Sequence, residues 1–175
     1  MAKTNGQSAK QFCAGAIFKK INGSWYVVGV SVLSKNGRPV PYCCEVKFPG
    51  GTDENAPWEN PRQTFLREFP EETWITPTKY HEVHQEGDEK HTRYFFLITD
   101  YTCKGDFFRV GEVRDKDEPD GQKIRLRLWE IHGFAEALFY KYNRAFAKAI
   151  AEMAMLDQAF CNDNMDILRR FPVEE

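Results

Sequence analysis

Three glutamates, Glu68, Glu71 and Glu72, recur at i, i+3 and i+4 within the run Arg67-Glu68-Phe69-Pro70-Glu71-Glu72. On a helix this spacing turns all three carboxylates to one side, opposite the apolar stripe of Phe65 and Phe69. Close carboxylates repel one another at neutral pH unless an arginine or a divalent cation lies among them, and hard oxygen donors select Mg2+, Mn2+ or Ca2+. The competing reading is a solvated acidic helix face, since charged runs on helices are common. A Pro49-Gly50-Gly51 turn upstream and an acid at Glu59 shift the weight toward a site.

A helix with defined ends must hold these residues. Asn60 followed by Pro61 and Gln63 predicts one: Asn60 as N-cap, Pro61 at the first helical position, Gln63 reaching back in a capping box. It is expected to run to about Thr73. Before it, Phe12 to Phe18 and Trp25 to Leu33 read as a hairpin around Asn22-Gly23, and Tyr42 to Phe48 as a third strand entering the glycine turn. After it, Lys79 to Gln85 and Arg93 to Tyr101 form a second hairpin, and Ile124 to Ile131 a further strand. Gly111 to Gln122 is crowded with charge and reads as a solvated loop of the kind that often carries function. Phe134, Leu138, Tyr142, Phe146, Ile150, Met153, Leu156 and Phe160 recur at helical spacing and predict one long amphipathic helix. The order βββ-α-ββ-β-α gives an α/β class, a mixed β-sheet held between helices.

The segment from Gly50 to Ile75 resembles the Nudix box of the Nudix hydrolase family, in which a glycine precedes Glu, seven residues, Arg-Glu, an apolar residue, one residue, Glu-Glu, one residue, Gly and an apolar residue. Glu59, Arg67-Glu68, Phe69, Glu71-Glu72 and Ile75 occupy matching positions. Five charges at fixed offsets coincide by chance in roughly one chain of this length in ten thousand. Three departures stand out. Seven residues rather than the family's five separate Gly51 from Glu59. Trp74 takes the family's glycine position, where a left-handed backbone is expensive for a bulky side chain, so the helix is expected to end differently. Pro70 removes the bond to the Leu66 carbonyl, costs about 3 kcal/mol in a straight helix, and is expected to tilt Glu71 and Glu72 relative to Glu68.

The resemblance implies a Nudix-like α/β/α sandwich, one domain over residues 1–175, and an activity. That activity is Mg2+-dependent hydrolysis, with Mn2+ as a substitute, of the pyrophosphate bond in a nucleoside diphosphate linked to another moiety, foremost a nucleotide sugar or ADP-ribose. Carried over by position, Glu68, Glu71, Glu72 and the Gly50 carbonyl are metal ligands. Arg67 orients them by pairing with Glu59, and the general base is Glu118 from the charged loop or Glu71 itself. A nucleoside triphosphate or oxidised nucleotide as substrate, and a non-catalytic nucleotide-binding sensor on the same fold, remain alternatives. Retention of the charged box residues speaks for catalysis, because a binding module has no need of a costly carboxylate cluster.

Phe107, Phe108 and Arg109 at the entrance to the charged loop suit nucleobase stacking and phosphate binding, against a core-anchoring reading of the aromatic pair. His81, His84, His91 and His132 match no metal triad and are expected at surface or base-stacking positions. At 175 residues, 42% hydrophobic and 29% charged, the composition excludes disordered, collagen-like and coiled-coil chains. A net charge of -2 gives nucleic acid no support as a partner. No apolar run approaches the roughly 20 residues needed to cross a bilayer, so no membrane contact and a cytoplasmic location are expected. Five cysteines without CxxC spacing read as buried or half-buried thiols. A homodimer is open, since the stripe from Phe134 to Phe160 suits a core or a partner equally.

Overall fold

A computed structural model describes residues 10–53 and 59–174. The two extra residues expected before Glu59 fall in the segment outside the described residues. The strands are β1 (Lys10–Ala16), β2 (Phe18–Ile21), β3 (Ser24–Lys35), β4 (Arg38–Pro39), β5 (Gly50–Asp53), β6 (Ile75–Gly87), β7 (His91–Cys103), β8 (Val113–Asp117) and β9 (Gln122–Glu130). The helices are α1 (Pro61–Thr73), α2 (Ile131–Ala137), α3 (Asn143–Leu156), α4 (Gln158–Asp163) and α5 (Met165–Arg170), with a 3-10 turn at Tyr140–Tyr142 before α3.

The strands form two sheets. The first, in the order β5-β1-β7-β6, is mixed: β1 runs parallel to β7 and antiparallel to β5. The second, β2-β3-β9-β8 with β4 beside β3, is antiparallel. Alternation along β1 and β7 gives the first sheet two buried faces. Ala14, Ala16, Phe95 and Leu97 pack under Phe134, Phe146, Ile150 and Phe160 of the C-terminal helices. Cys13, Phe96 and Ile98 pack against Phe65 and Phe69 of α1 and against Val28, Val30 and Leu126 of the second sheet. Gly15 permits the close approach of α1, since a Cβ there would meet the Phe65 ring. The result is the expected sandwich of helices about a mixed sheet.

Several elements differ from their sequence expectation. The run Phe12 to Phe18 divides at Ile17, so β1 joins one sheet and β2 the other; the Asn22-Gly23 turn links β2 to β3. Asn22 (φ 49°) and Gly23 (φ 83°) are both left-handed, as a two-residue hairpin turn requires. Tyr42 to Phe48 is not a strand. It forms single bridges from Lys47 to Val30 and from Val46 to Leu138, because it crosses from sheet to helices and exchanges hydrogen bonds with Ala137 and Phe139. The charged stretch Gly111 to Gln122 contains β8, an edge strand paired to β9, and charge on an edge strand discourages further pairing. The predicted long helix is broken where Leu138 is extended and where Asp157 accepts a hydrogen bond from the Phe160 N–H at 3.1 Å, capping α4. The apolar stripe survives the breaks because the pieces fold back over one core, and it serves that core. Cys43 and Cys44 are exposed, and His84, expected near the surface, is buried.

Helix α1 starts as its sequence predicts. The Asn60 side chain accepts from the Gln63 N–H at 2.8 Å, and the Gln63 side chain accepts from the Asn60 N–H at 2.9 Å. Its end overturns the expectation: Trp74 adopts the left-handed conformation itself (φ 63°, ψ 20°) and donates its N–H to the Pro70 carbonyl at 2.8 Å. Thr73 completes the stop, its hydroxyl donating to the Phe69 carbonyl at 2.7 Å and accepting from the Ile75 N–H at 3.1 Å. The strain of a left-handed tryptophan is of order 1–2 kcal/mol, and the residue is 55% exposed, so little burial offsets it. Trp74→Gly is therefore expected to raise the urea midpoint, by about 1 kcal/mol of stability, while Trp74→Ala, which keeps a Cβ, does not. Equal effects of the two substitutions would show that the left-handed backbone carries no strain.

Candidate active site

The site is built where α1 crosses β5. Gly50 and Gly51 pair with Ala14 and Cys13 of β1, and neither glycine has room for a side chain. A Cβ at Gly50 would strike the Cys13 carbonyl, and one at Gly51 would strike the Glu68 carboxylate. Two neighbouring glycines thus let two glutamates from one helix lie against bare backbone. Glu68 rests on Gly51, and Glu72 Oε1 accepts a hydrogen bond from the Gly50 N–H at 3.2 Å. The helix runs through Pro70 without interruption, so the expected tilt does not separate Glu68 from Glu72. The carbonyl that Pro70 leaves without its helical donor belongs to Leu66, an exposed residue, where water is at hand.

Arg67 is fixed from two sides. Its Nε donates to Glu59 at 3.0 and 3.2 Å, and Nη2 lies 2.9 Å from the same carboxylate. Nη1 donates to Glu68 Oε1 at 2.7 Å. This bidentate clamp sets the rotation of the Glu68 carboxylate. Sequence reading missed two participants. Asp53, fully buried at the end of β5, stands 3.9 Å from Arg67 Nη2. Lys116 on β8 donates to the Glu71 carbonyl at 2.8 Å, a contact hidden while the segment reads as a solvated loop.

The electrostatics show what the cluster lacks. Burial pushes Glu72 up to about 8, with Glu118 and Glu68 adding to the rise and the Gly50 N–H and Lys116 opposing it. Glu68 is also raised, by burial first and then by Glu71 and Glu118, against the pull of Arg67. Glu118, at the β8–β9 turn where its N–H donates to the Gln122 carbonyl at 2.8 Å, thus adds its charge to that of both carboxylates. Glu71 is exposed. Among the described residues no three His, Cys, Asp or Glu side chains gather around a common point. The donor set nonetheless fits a hard divalent cation, because desolvated carboxylates that Arg67 and Lys116 only partly neutralise gain what a cation supplies.

The other candidate residues, at the entrance to the charged loop, have contacts of their own. Phe108 is buried in the core under the Arg114 guanidinium, which sits 3.9 Å from its ring centroid. Phe107 is half-buried, stacked on Tyr101 at 5.3 Å with Lys19 Nζ 4.1 Å from its centroid. The Arg109 side chain is exposed. Arg114 also approaches the exposed Trp74 ring, at 5.6 Å.

Neither a protein-family model nor a curated protein matches the sequence. Solved structures do. A MutT structure, from work on the proteins of Aliivibrio salmonicida and Vibrio cholerae, superimposes with a TM-score of 0.56 at 20% identity, covering 83% of this chain and 99% of that one. NrtR of Shewanella oneidensis gives 0.58 at 14% identity, and the chain spans 63% of its length. The NUDIX domain of the same NrtR, complexed with ADP ribose, gives 0.54 at 12% identity over 83% of this chain and 89% of that one. The chain has the fold that these proteins share.

A pH dependence follows from Glu72. Its folded value of about 8 lies above the ordinary 4.5, so the metal-free protein is favoured below pH 4.5 and loses that contribution as pH rises to about 8. In EDTA, the Tm of Glu72→Gln is expected to fall less between pH 5 and pH 8 than that of the parent chain. Added Mg2+ is expected to raise the parent Tm more at pH 8 than at pH 5. Parallel curves for the two chains would contradict the assignment.

Proposed function

We propose that this chain is a Nudix-type hydrolase, one domain that cleaves the pyrophosphate bond of a nucleoside diphosphate linked to another moiety, with a nucleotide sugar or ADP-ribose as substrate. The observation that carries the reading is the packing of Glu68 and Glu72 on Gly50-Gly51 with Arg67 clamped to Glu59. The fold shared with MutT and with an ADP-ribose-bound NUDIX domain supports it.

Glu68, Glu71 and Glu72, with the Gly50 carbonyl, would hold Mg2+ or Mn2+, which when bound neutralises pyrophosphate oxygens and acidifies water. Arg67 holds Glu68 in one orientation and so spares the site reorganisation during reaction. Water attacks phosphorus, its proton passes to Glu118, and the bond from phosphorus to the bridging oxygen breaks, releasing a nucleoside monophosphate and the phosphorylated leaving moiety. Glu71, exposed at the same helix end, is the alternative base. Phe107 and Arg109, at the exposed side of the loop after β7, are assigned to base and phosphate contact. Phe108 supports them from the core.

A second reading, a nucleotide-binding sensor without turnover, is favoured by one observation: the three box glutamates do not converge as they stand. Turnover separates the two. A panel of ADP-ribose, nucleotide sugars, nucleoside triphosphates and 8-oxo-dGTP, assayed with and without Mg2+, is expected to give Mg2+-dependent nucleoside monophosphate from the first two classes. Glu72→Gln should lower kcat by roughly a hundredfold or more, and Glu118→Gln by a similar factor with KM little changed. Tight binding of ADP-ribose with no turnover above Glu72→Gln would establish the sensor instead.

A further inference from the structure

The end of α1 carries strain that little burial offsets. A left-handed residue closing a helix is ordinarily glycine, which adopts that backbone freely; here it is Trp74 (φ 63°), with 55% of its surface exposed. Strain of this kind concentrates at functional sites, where the surrounding structure enforces it. Trp74 stands two residues after Glu72, so the two Cα atoms are at most about 7.6 Å apart.

The ring is also held in place. The Arg114 guanidinium lies 5.6 Å from the Trp74 ring centroid and 3.9 Å from that of buried Phe108. Arg114 is fixed in turn, its Nε donating to Glu112 and its Nη2 to the Asp106 carbonyl at 3.1 Å. The Lys104 N–H donates to the Trp74 carbonyl at 3.0 Å, which ties Trp74 to the start of the same loop. Strand β8 meets the end of α1 through alternate residues, Arg114 at the Trp74 ring and Lys116 at the Glu71 carbonyl, 2.8 Å away. It therefore leads from the ring toward the carboxylates. Phe107 already has Tyr101 stacked on it at 5.3 Å and Lys19 Nζ 4.1 Å from its centroid, so the flat surface left open to a base is that of Trp74.

We propose that Trp74, backed by Arg114, is the platform on which the nucleobase of the ligand stacks, which makes it a specificity-determining residue. A base on the ring and a phosphate at the carboxylates then belong to one nucleotide, with Lys116 Nζ along the path between them. Tryptophan offers a large, rigid aromatic face for such stacking; a glycine in its place would relieve the strain and lose the base. The inference rests on the reading that the carboxylate cluster receives a nucleotide, but not on turnover, since a sensor at the same site would stack the base in the same way.

Calorimetric titration of the full chain in Mg2+ with AMP and ribose 5-phosphate tests it. The two share a phosphate ester and differ by the base, and neither contains a pyrophosphate bond, so turnover does not enter. AMP is expected to bind roughly tenfold or more tightly than ribose 5-phosphate and to quench tryptophan emission. Trp74→Gly and Trp74→Ala should each weaken AMP roughly tenfold while ribose 5-phosphate is unchanged. Trp74→Phe, which keeps a ring, should hold AMP within about threefold and lose the quenching. Trp74→Gly should thus be the more stable protein in urea and the weaker binder, a combination that a structural role does not produce. No preference of the parent chain for AMP, unchanged AMP affinity in Trp74→Gly, equal weakening of both ligands, or weaker binding together with lower stability would each overturn the proposal. Stacking that passes these tests without turnover of any pyrophosphate substrate would remove the hydrolase reading alone.

Discussion

The approach of α1 to β5 governs the site. Two carboxylates from one helix can rest on a strand only where that strand offers no side chains, and Gly50-Gly51 offers none. The helix in turn has to arrive with one rotation and at one height. Phe65 and Phe69 fix the rotation from the opposite side, Phe65 stacking on Phe96 at 4.4 Å. The capping box at Asn60 and the left-handed turn at Trp74 fix the two ends. A slip of one residue along α1 would turn both the aromatic and the acidic face by about 100°, so core packing and site geometry are one constraint.

That geometry is bought against electrostatics. Arg67 is committed to Glu59 and to one oxygen of Glu68, and Lys116 donates a hydrogen bond to the Glu71 backbone. Glu72 is left beside the charges of Glu68 and Glu118, with the Gly50 N–H donating to it. A protein gains no stability from such an arrangement in isolation. Such a cluster would instead favour a divalent cation, held by Glu68, Glu71 and Glu72, whose charge would offset the repulsion. The C-terminal helices stand apart from this economy: they cover the other face of the sheet.

What the sequence made legible was local chemistry. Asn60, Pro61 and Gln63 marked the start of α1 to the residue, and the glutamate spacing marked its acidic face, because capping and helical periodicity act over a few residues. Long-range pairing was less legible. Nothing local says that Ile17 divides one apolar run between two sheets, or that Val113–Asp117 pairs with β9 despite its charge. The breaks at Leu138 and Asp157 were hidden by an apolar stripe that a folded-back chain preserves as well as a straight helix does. Asp53 and Lys116 enter the site through tertiary contacts alone. Trp74 misled for another reason: the fold imposes the left-handed turn and the side chain tolerates it.

The central claim is that the carboxylates on Gly50-Gly51 exist to bind a divalent cation. Titration of the metal-free protein with Mn2+, followed by electron paramagnetic resonance, tests it without reference to any substrate. The account predicts saturable binding that Mg2+ displaces and that Glu68→Gln/Glu72→Gln abolishes while the protein remains folded. Undiminished Mn2+ binding in that variant, or none in the parent chain, would contradict it.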